Sequence, residues 1–580
     1  MARQRTLATG LDALGLPFKL GSNALAVAGT HTESGDALLF GGPQMGFTTP
    51  SVMYEVGLHG SDFDITGITV AGYPFVMFGH NNHGAITSTA GLDNSIQTFV
   101  ETIRTDGEQE QYKFREDWHS VAVHSETIPV SGAPDAEVTI RRTRHGVVTQ
   151  WRPDEGEAIS QTRSYEGRDM NSWKAFYEAQ YVTNADEFVT AAQNCDYSLN
   201  FMWAGDDGDV AYVHLGRYPD WEQVPWDTRF PADGTKYELT DADYLRAADG
   251  SVPFAVNPST GYTAQWNNKP APGWNNGDMS YAWGTDHRVQ RIINLMENRL
   301  ATEGVVDYSF LKEIVYDIAF VDLRAIRYKE PLIAALANAE LSDMEQSAFK
   351  AVADWNNLRQ GDGTDYLGNY SVGYTVFDTF FSHLLDETFE PTFGVLGSLY
   401  GPVRSVFLNY RYGRPLLMRA LHPTDAALEP AVDYFHGDQP TVFRQAFQKA
   451  VEDLRAKHGD NVSTWKAPAH VDKLDNMALF GMPIGVGDAG EMPFLNRGTE
   501  NHFVRVGRTN GQSNQQSRHD FSAENILPPG NSGYLAPDGT KDIHYADQLK
   551  MFIDFEYKPL RFTTAEVARD IEATKSLRTE

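Results

Sequence analysis

The order of apolar and polar positions divides the chain into contrasting textures. Near the start, Asn23-Ala24-Leu25-Ala26-Val27-Ala28-Gly29 and Ala37-Leu38-Leu39-Phe40 are short apolar runs, the second stopped by Gly41-Gly42-Pro43. Runs of this length bounded by glycine and proline predict strands, and two so close together predict an antiparallel pair. Further strands are predicted at 75–78, 85–89 and 98–100, and residues 137–140 and 147–149 bracket a basic hairpin. Asp209-Val210-Ala211-Tyr212-Val213-His214 alternates in the manner of a half-buried strand. Residues 216–280 are rich in Pro, Gly, Asn and Trp, the texture of long structured loops.

The period then changes. Phe310, Leu311, Ile314, Val315 and Ile318 recur at helical spacing. Ser342 and Glu345 form a capping-box signature ahead of Phe349, Val352 and Trp355. From about 471 the chain returns to turn-rich sequence, and a last helix is predicted from near Tyr545 through Gln548 and Met551. The expected organisation is therefore a leader over 1–21, a β-rich core over 22–290, a mainly helical region over 291–470, and a return to the core over 471–580.

Composition narrows the picture. An aromatic fraction of 12% is too high for a disordered chain. The formal charge of -30 repels nucleic acid and anionic membranes, so neither is expected as a partner. It fits high solubility or life at high salt equally well. No run of 18 apolar residues exists, so no membrane span is expected. Arg3 and Arg5 precede an apolar stretch that Asp12 and Lys19 interrupt, a poor signal peptide. Cys195 is the single cysteine and lies in no activating motif, which predicts a buried structural thiol.

Familiar hydrolase signatures are missing. There is no G-x-S-x-G elbow, no H-E-x-x-H, no P-loop and no dinucleotide fingerprint. His80 and His83 stand three apart without a third ligand nearby, which reads as a polar loop. One catalytic route needs no such motif. A serine at the start of a chain can use its own α-amine as general base, since that amine titrates near about 7.7–8.0. Gly21-Ser22 offers such a serine only if the bond between them is cut, by attack of the serine hydroxyl on the preceding carbonyl. An isolated Gly-Ser is ordinarily just a turn.

What singles Ser22 out is the sequence that follows. Ser22-Asn23, Gly42-Pro43-Gln44, Gly57-Leu58-His59-Gly60, Tyr73-Pro74, Phe78-Gly79-His80-Asn81 and Ser88-Thr89-Ala90-Gly91 together resemble the β-subunit region of the penicillin G acylase family, N-terminal-nucleophile hydrolases. The likeness continues through Tyr212-Val213-His214, Trp266-Asn267-Asn268 and Asn496-Arg497-Gly498-Thr499-Glu500-Asn501 to His544-Tyr545. It implies an α+β fold, an αββα four-layer sandwich with a mainly helical insertion. It also implies roles. Gly21-Ser22 would be the cleavage site and Ser22 the nucleophile. The Ala90 backbone N–H and the Asn267 amide would form the oxyanion hole. Gln44 would hold the nucleophile amine or the substrate amide through its backbone. Arg288 matches an arginine near the catalytic centre, and Arg497 and Glu500 match a pair behind it; for these three a purely structural ion pair is an equal alternative.

The resemblance places Met45, Phe78, Ser88, Phe176 and Leu199 in the acyl pocket. All but Ser88 are apolar, which implies an uncharged acyl group. Met45 replaces a usual aromatic and Phe176 a larger indole, so a longer aliphatic chain competes with phenylacetyl. A structural calcium site is implied at positions 94, 96, 97, 231 and 278. Here these are Asn94, Ile96, Gln97, Pro231 and Asp278, and two neutral amides stand where carboxylates are usual, although Asp93 is adjacent. The chemistry itself requires no cofactor.

The implied activity is hydrolysis of a linear amide to an apolar acid and an amine. One alternative keeps the chemistry and takes N-acyl homoserine lactones. Another is an uncleaved or orphan chain without activity. The family's α subunit, which completes the acyl pocket, is expected from a separate chain or an upstream segment. The family is typically exported, whereas residues 1–21 carry no export signal.

Overall fold

A computed structural model describes residues 21–60, 64–275, 277, 283, 286–399, 413–421, 432–476, 478–479, 482–483, 490–493, 496–507, 521–531 and 540–576. The leader up to residue 20 and Asp278 lie outside these.

Strand Gly21–Val27 pairs antiparallel with Ala37–Gln44, from Gly21 opposite Gln44 to Val27 opposite Leu38. The second strand runs past the predicted stop at Gly41-Gly42-Pro43. These glycines serve close packing rather than a turn. A Cβ at Gly41 would collide with Thr87 and His502, and one at Gly42 would press on Asn23 and Asn501 at 2.6 Å.

The pair lies inside a six-stranded sheet, ordered Tyr262–Gln265, Gly21–Val27, Ala37–Gln44, Asn501–Val506, Ser522–Ile526, Lys558–Pro559. A seven-stranded sheet stacks on it, ordered Phe254–Val256, Val210–Leu215, Leu199–Gly205, Gly84–Ala90, Phe78–His80, Asp64–Val70, Met53–His59. Alternation along the strands sorts side chains between the layers. Ala24, Ala26, Ala37 and Leu39 face the second sheet and meet Met202, Ala204 and Val210. Leu25, Val27, Leu38 and Phe40 face the other way, onto helices Asp286–Glu303 and Tyr308–Phe320. The outer face of the second sheet packs Phe201, Trp203 and Val213 on helices Asp169–Glu178 and Ala185–Ala192. The result is the αββα four-layer sandwich. Burying small alanines between the sheets and larger side chains beneath the helices lets the sheets approach closely.

Val210–Leu215 is buried on every residue, not on alternate ones. It lies inside its sheet, with the other sheet on one face and a helix on the other, so its polar Tyr212 and His214 are internal. The predicted strand at 75–78 is reduced to Phe78–His80. The hairpin forms, with Arg142 opposite Val147 and Thr143 opposite Gly146. Ser342 and Glu345 make the reciprocal capping box of helix Asp343–Asp354. Tyr545–Ile553 is the late helix. Helices between Leu323 and His458 enclose their own apolar cluster, including Tyr328, Phe377, Phe380 and Trp465. Among the described residues no helix is long and apolar enough to cross a membrane.

Candidate active site

Ser22 is the second residue of its strand and 7% exposed. Its hydroxyl donates to the carbonyl oxygen of Gly21, the preceding residue, at 2.6 Å. Its backbone N–H donates to Asn267 Oδ1 at 2.7 Å. Asn267 follows strand Tyr262–Gln265 and has a φ of 58°, a left-handed conformation that asparagine tolerates better than most residues. The turn is held by Asn268 Oδ1, which accepts from the Trp266 N–H at 2.9 Å. Asn267 Nδ2 donates to the carbonyl oxygen of Ala90 at 3.0 Å. One end of each of three strands thus converges on Ser22.

Gln44 lies opposite Gly21 in the strand pair. Its side chain, rather than its backbone alone, is heavily engaged. Oε1 accepts from Arg288 Nη2 at 2.9 Å and Trp266 Nε1 at 3.2 Å, while Nε2 donates to Asn496 O at 3.2 Å. The Arg288 guanidinium stacks over the Trp266 ring, 4.7 Å from its centroid.

Arg497 and Glu500 are both fully buried, yet each finds its own partner. Arg497 donates to Asn501 Oδ1 and to the Phe552 carbonyl, both at 2.7 Å, between the Phe552 and Phe555 rings. Glu500 Oε2 accepts from His502 Nδ1 at 2.9 Å. Burial lowers the Arg497 pKa and raises that of Glu500, because both charged forms lose water. Neither side chain reaches Ser22 directly. The Arg497 carbonyl accepts from Gln44 Nε2 at 3.4 Å, and Gln44 stands opposite Gly21.

The expected pocket residues are only partly gathered. Leu199 stands opposite Ala90, and Ser88 opposite Phe201, on which Phe176 packs edge-on at 4.8 Å. Phe78 belongs to another apolar cluster with Met53 and Ile68, and stacks on His502 at 6.0 Å. Met77 touches both clusters. Met45, just past strand Ala37–Gln44, is 37% exposed and is tethered by its N–H to Thr499 Oγ1 at 2.9 Å. Thr499 and Asn496, which touch Met45 and Gln44, were not singled out by the sequence; only their place in the 496–501 motif points to them.

Among the described residues, the positions implied for calcium carry no carboxylate. Asn94 Oδ1 accepts from the Ile96 N–H at 3.1 Å. Gln97 is buried, and its Nε2 donates to the Thr98 carbonyl at 2.8 Å. Ile96 and Pro231 could offer calcium only their backbone carbonyls, and neither Asn94 nor Gln97 supplies the charged oxygen it favours. His80 is buried with Nδ1 at 3.1 Å from the Asn81 carbonyl, and His83 pairs with Asp206. Among the described residues no three His, Cys, Asp or Glu side chains form a metal-binding group.

Comparison with known proteins gives a consistent pattern. A family model described as penicillin amidase matches residues 1–569. The chain is 29% identical to penicillin G acylase of Escherichia coli over 579 residues, 96% of this chain and 65% of that protein. It is 26% identical to an acyl-homoserine lactone acylase of Pseudomonas fluorescens over 298 residues, 49% of this chain and 35% of that protein. Among solved structures, a thermostable penicillin G acylase from Alcaligenes faecalis superposes with a TM-score of 0.80 at 25% identity, covering 96% of this chain and 99% of that one. The chain thus spans less than two thirds of the length of these curated relatives.

Proposed function

The chain belongs to the penicillin amidase family, and from that footing we propose that it cuts its own Gly21–Ser22 bond and then hydrolyses linear amides through an acyl-enzyme. The observation that carries this reading is the placement of Ser22 between the carbonyl it would attack and the amide of Asn267.

In the first reaction Ser22 Oγ attacks the Gly21 carbonyl carbon. The tetrahedral intermediate expels the Ser22 nitrogen, leaving Gly21 esterified on Oγ. The departing nitrogen takes up the Oγ proton and is the free α-amine; water then cleaves the ester, releasing the leader as a carboxylate and freeing the Ser22 hydroxyl. That amine keeps Asn267 Oδ1 as its hydrogen-bond acceptor, which turns its lone pair to the serine hydroxyl. In the second reaction the amine takes the Oγ proton as Oγ attacks the substrate carbonyl. The second N–H of Asn267 Nδ2 and the backbone N–H of Ala90 stabilise the oxyanion, donors each worth about 2.7–4 kcal/mol. The amine product leaves with the proton, and water hydrolyses the acyl-serine.

Gln44, held by Arg288 and Trp266, supports the strand end from which the leader departs. The acyl group is uncharged, bordered by Leu199, Ser88, Phe176 and Met45. A second chain or upstream segment completes the pocket, in keeping with the longer relatives. A second reading, N-acyl homoserine lactones, is favoured by the flexible Met45 and by the lactone-acylase relative.

Intact-mass measurement with N-terminal sequencing tests the first step. A mature chain starting at Ser22, and an uncut, inactive Ser22→Ala variant, are expected; a stable chain that retains its leader overturns the proposal. Turnover of phenylacetyl amides against acyl homoserine lactones then separates the substrate classes.

A further inference from the structure

Asp93 and His214 take no part in these steps, yet they anchor a buried polar chain that ends at the oxyanion hole. Asp93 lies three residues beyond strand Gly84–Ala90. Its Oδ1 accepts from Trp274 Nε1 at 2.9 Å, and Oδ2 accepts from Trp283 Nε1 at 3.1 Å. The same Oδ2 lies 2.9 Å from His214 Nε2, with both side chains at most 1% exposed. Nε2 makes no directed hydrogen bond there, so the contact is a close packing of ring against carboxylate.

The His214 ring lies flat on Tyr218 at 5.3 Å, and its Nδ1 is 2.8 Å from Asn200 Oδ1. Tyr212 donates to the same oxygen at 2.8 Å. Asn200 Nδ2 then donates to Thr89 Oγ1 at 3.0 Å and to the Ala90 carbonyl at 3.3 Å. A carbonyl can only accept, which settles how the Asn200 amide is turned. The Ala90 carbonyl is the same oxygen that Asn267 Nδ2 contacts.

The geometry points to Asp93 as a positioning residue that does here what a bound calcium ion would otherwise do. Its carboxylate ties the 91–95 loop to strand Val210–Leu215 and to the side chains of Trp274 and Trp283. Through His214 and Asn200 it holds Ala90 in place against Asn267. This rests on the reading of Ala90 and Asn267 as the oxyanion hole. The physical case is one of substitution. Of the implied calcium positions, Asn94 and Gln97 are neutral and already engaged, whereas the neighbouring Asp93 carboxylate accepts from two indoles and lies against His214. Half-buried indole N–H groups favour an acceptor, and removing the Asp93 carboxylate deprives both of theirs. A small displacement of catalytic groups is costly in rate, on the order of a hundredfold for about 1 Å.

The test uses the processed, active protein and a chromogenic acyl anilide. Asp93→Asn is expected to lower kcat roughly ten- to a hundredfold while KM stays within about twofold. Asp93→Glu, which keeps the charge, recovers part of the loss. His214→Gln reads the same link if Asp93→Asn does not fold. Wild-type protein should carry no stoichiometric calcium by elemental analysis, and its Tm should be the same in EDTA and in calcium chloride. A Tm that falls on chelation, or an unchanged kcat in both Asp93→Asn and His214→Gln, overturns the proposal. Lowered Tm with unchanged kcat also overturns it, by reducing Asp93 to a stability role. Full activity in Asn267→Ala would instead overturn the underlying oxyanion-hole reading, and the wild-type calcium and melting measurements would still decide the tie.

Discussion

Gly21 and Gln44 face each other across the first two strands, and the Gln44 side-chain oxygen fills the space that a side chain at position 21 would need. That oxygen is pinned by Arg288 and Trp266, so it has little room to withdraw. Gly21→Ala should therefore displace the scissile carbonyl. We expect cleavage at Gly21–Ser22 to slow by about tenfold or more, since misplaced reacting atoms lose their proximity advantage. A time course of intact mass checks it; cleavage at the wild-type rate would show that Gln44 yields.

Asn267 combines a donor and acceptor pair with a left-handed backbone. Asn267→Ala should lower kcat about 10²–10³-fold through loss of one oxyanion donor. The left-handed conformation should cost the alanine variant a further roughly 1–2 kcal/mol of stability. Asn267→Gly should lose the same activity while melting higher than the alanine variant. Steady-state kinetics and thermal melts on the two variants separate the chemical role from the backbone role.

Glu500 is an acid whose pKa burial raises, with His502 opposing that shift. A folded-state pKa above the unfolded one makes the stability from Glu500 fully present below the ordinary carboxylate range, near about 4.3. That stability is lost as pH rises from there through the raised folded value. Glu500→Gln removes this dependence. The Tm difference, variant minus wild type, should grow as pH rises through that window. A difference that does not change with pH would contradict the assignment.

Cys195 is buried, and desolvation pushes its thiol up to about 12. The native protein should therefore leave it unlabelled by iodoacetamide near neutral pH, because the thiolate is the reactive form. Cys195→Ala should retain activity. Mass spectrometry of native and denatured labelling reactions distinguishes the two states.

Several features were legible in the chain alone. The strand pair at 21–44, the helix started by Ser342 and Glu345, the late helix at Tyr545 and the buried Cys195 follow from period, capping chemistry and local texture, which act over a few residues. So did the αββα class, through motifs spread from Ser22 to His544. What those patterns could not express was the partner of each polar group. Ser22 meets Asn267 from 245 residues away. Arg497 and Glu500 turn to Asn501 and His502, and Gly41-Gly42 lies within a paired strand where Thr87 and His502 leave position 41, and Asn23 and Asn501 position 42, no room for a side chain. Val210–Leu215 alternates in sequence yet is covered on both faces. Asp93, beside a run marked for a metal, turns instead to His214 and two tryptophans. Local pattern sets where a strand or helix forms. Which distant side chains share its end is set by sheet register and by the stacking of layers, which exist only once the chain is folded.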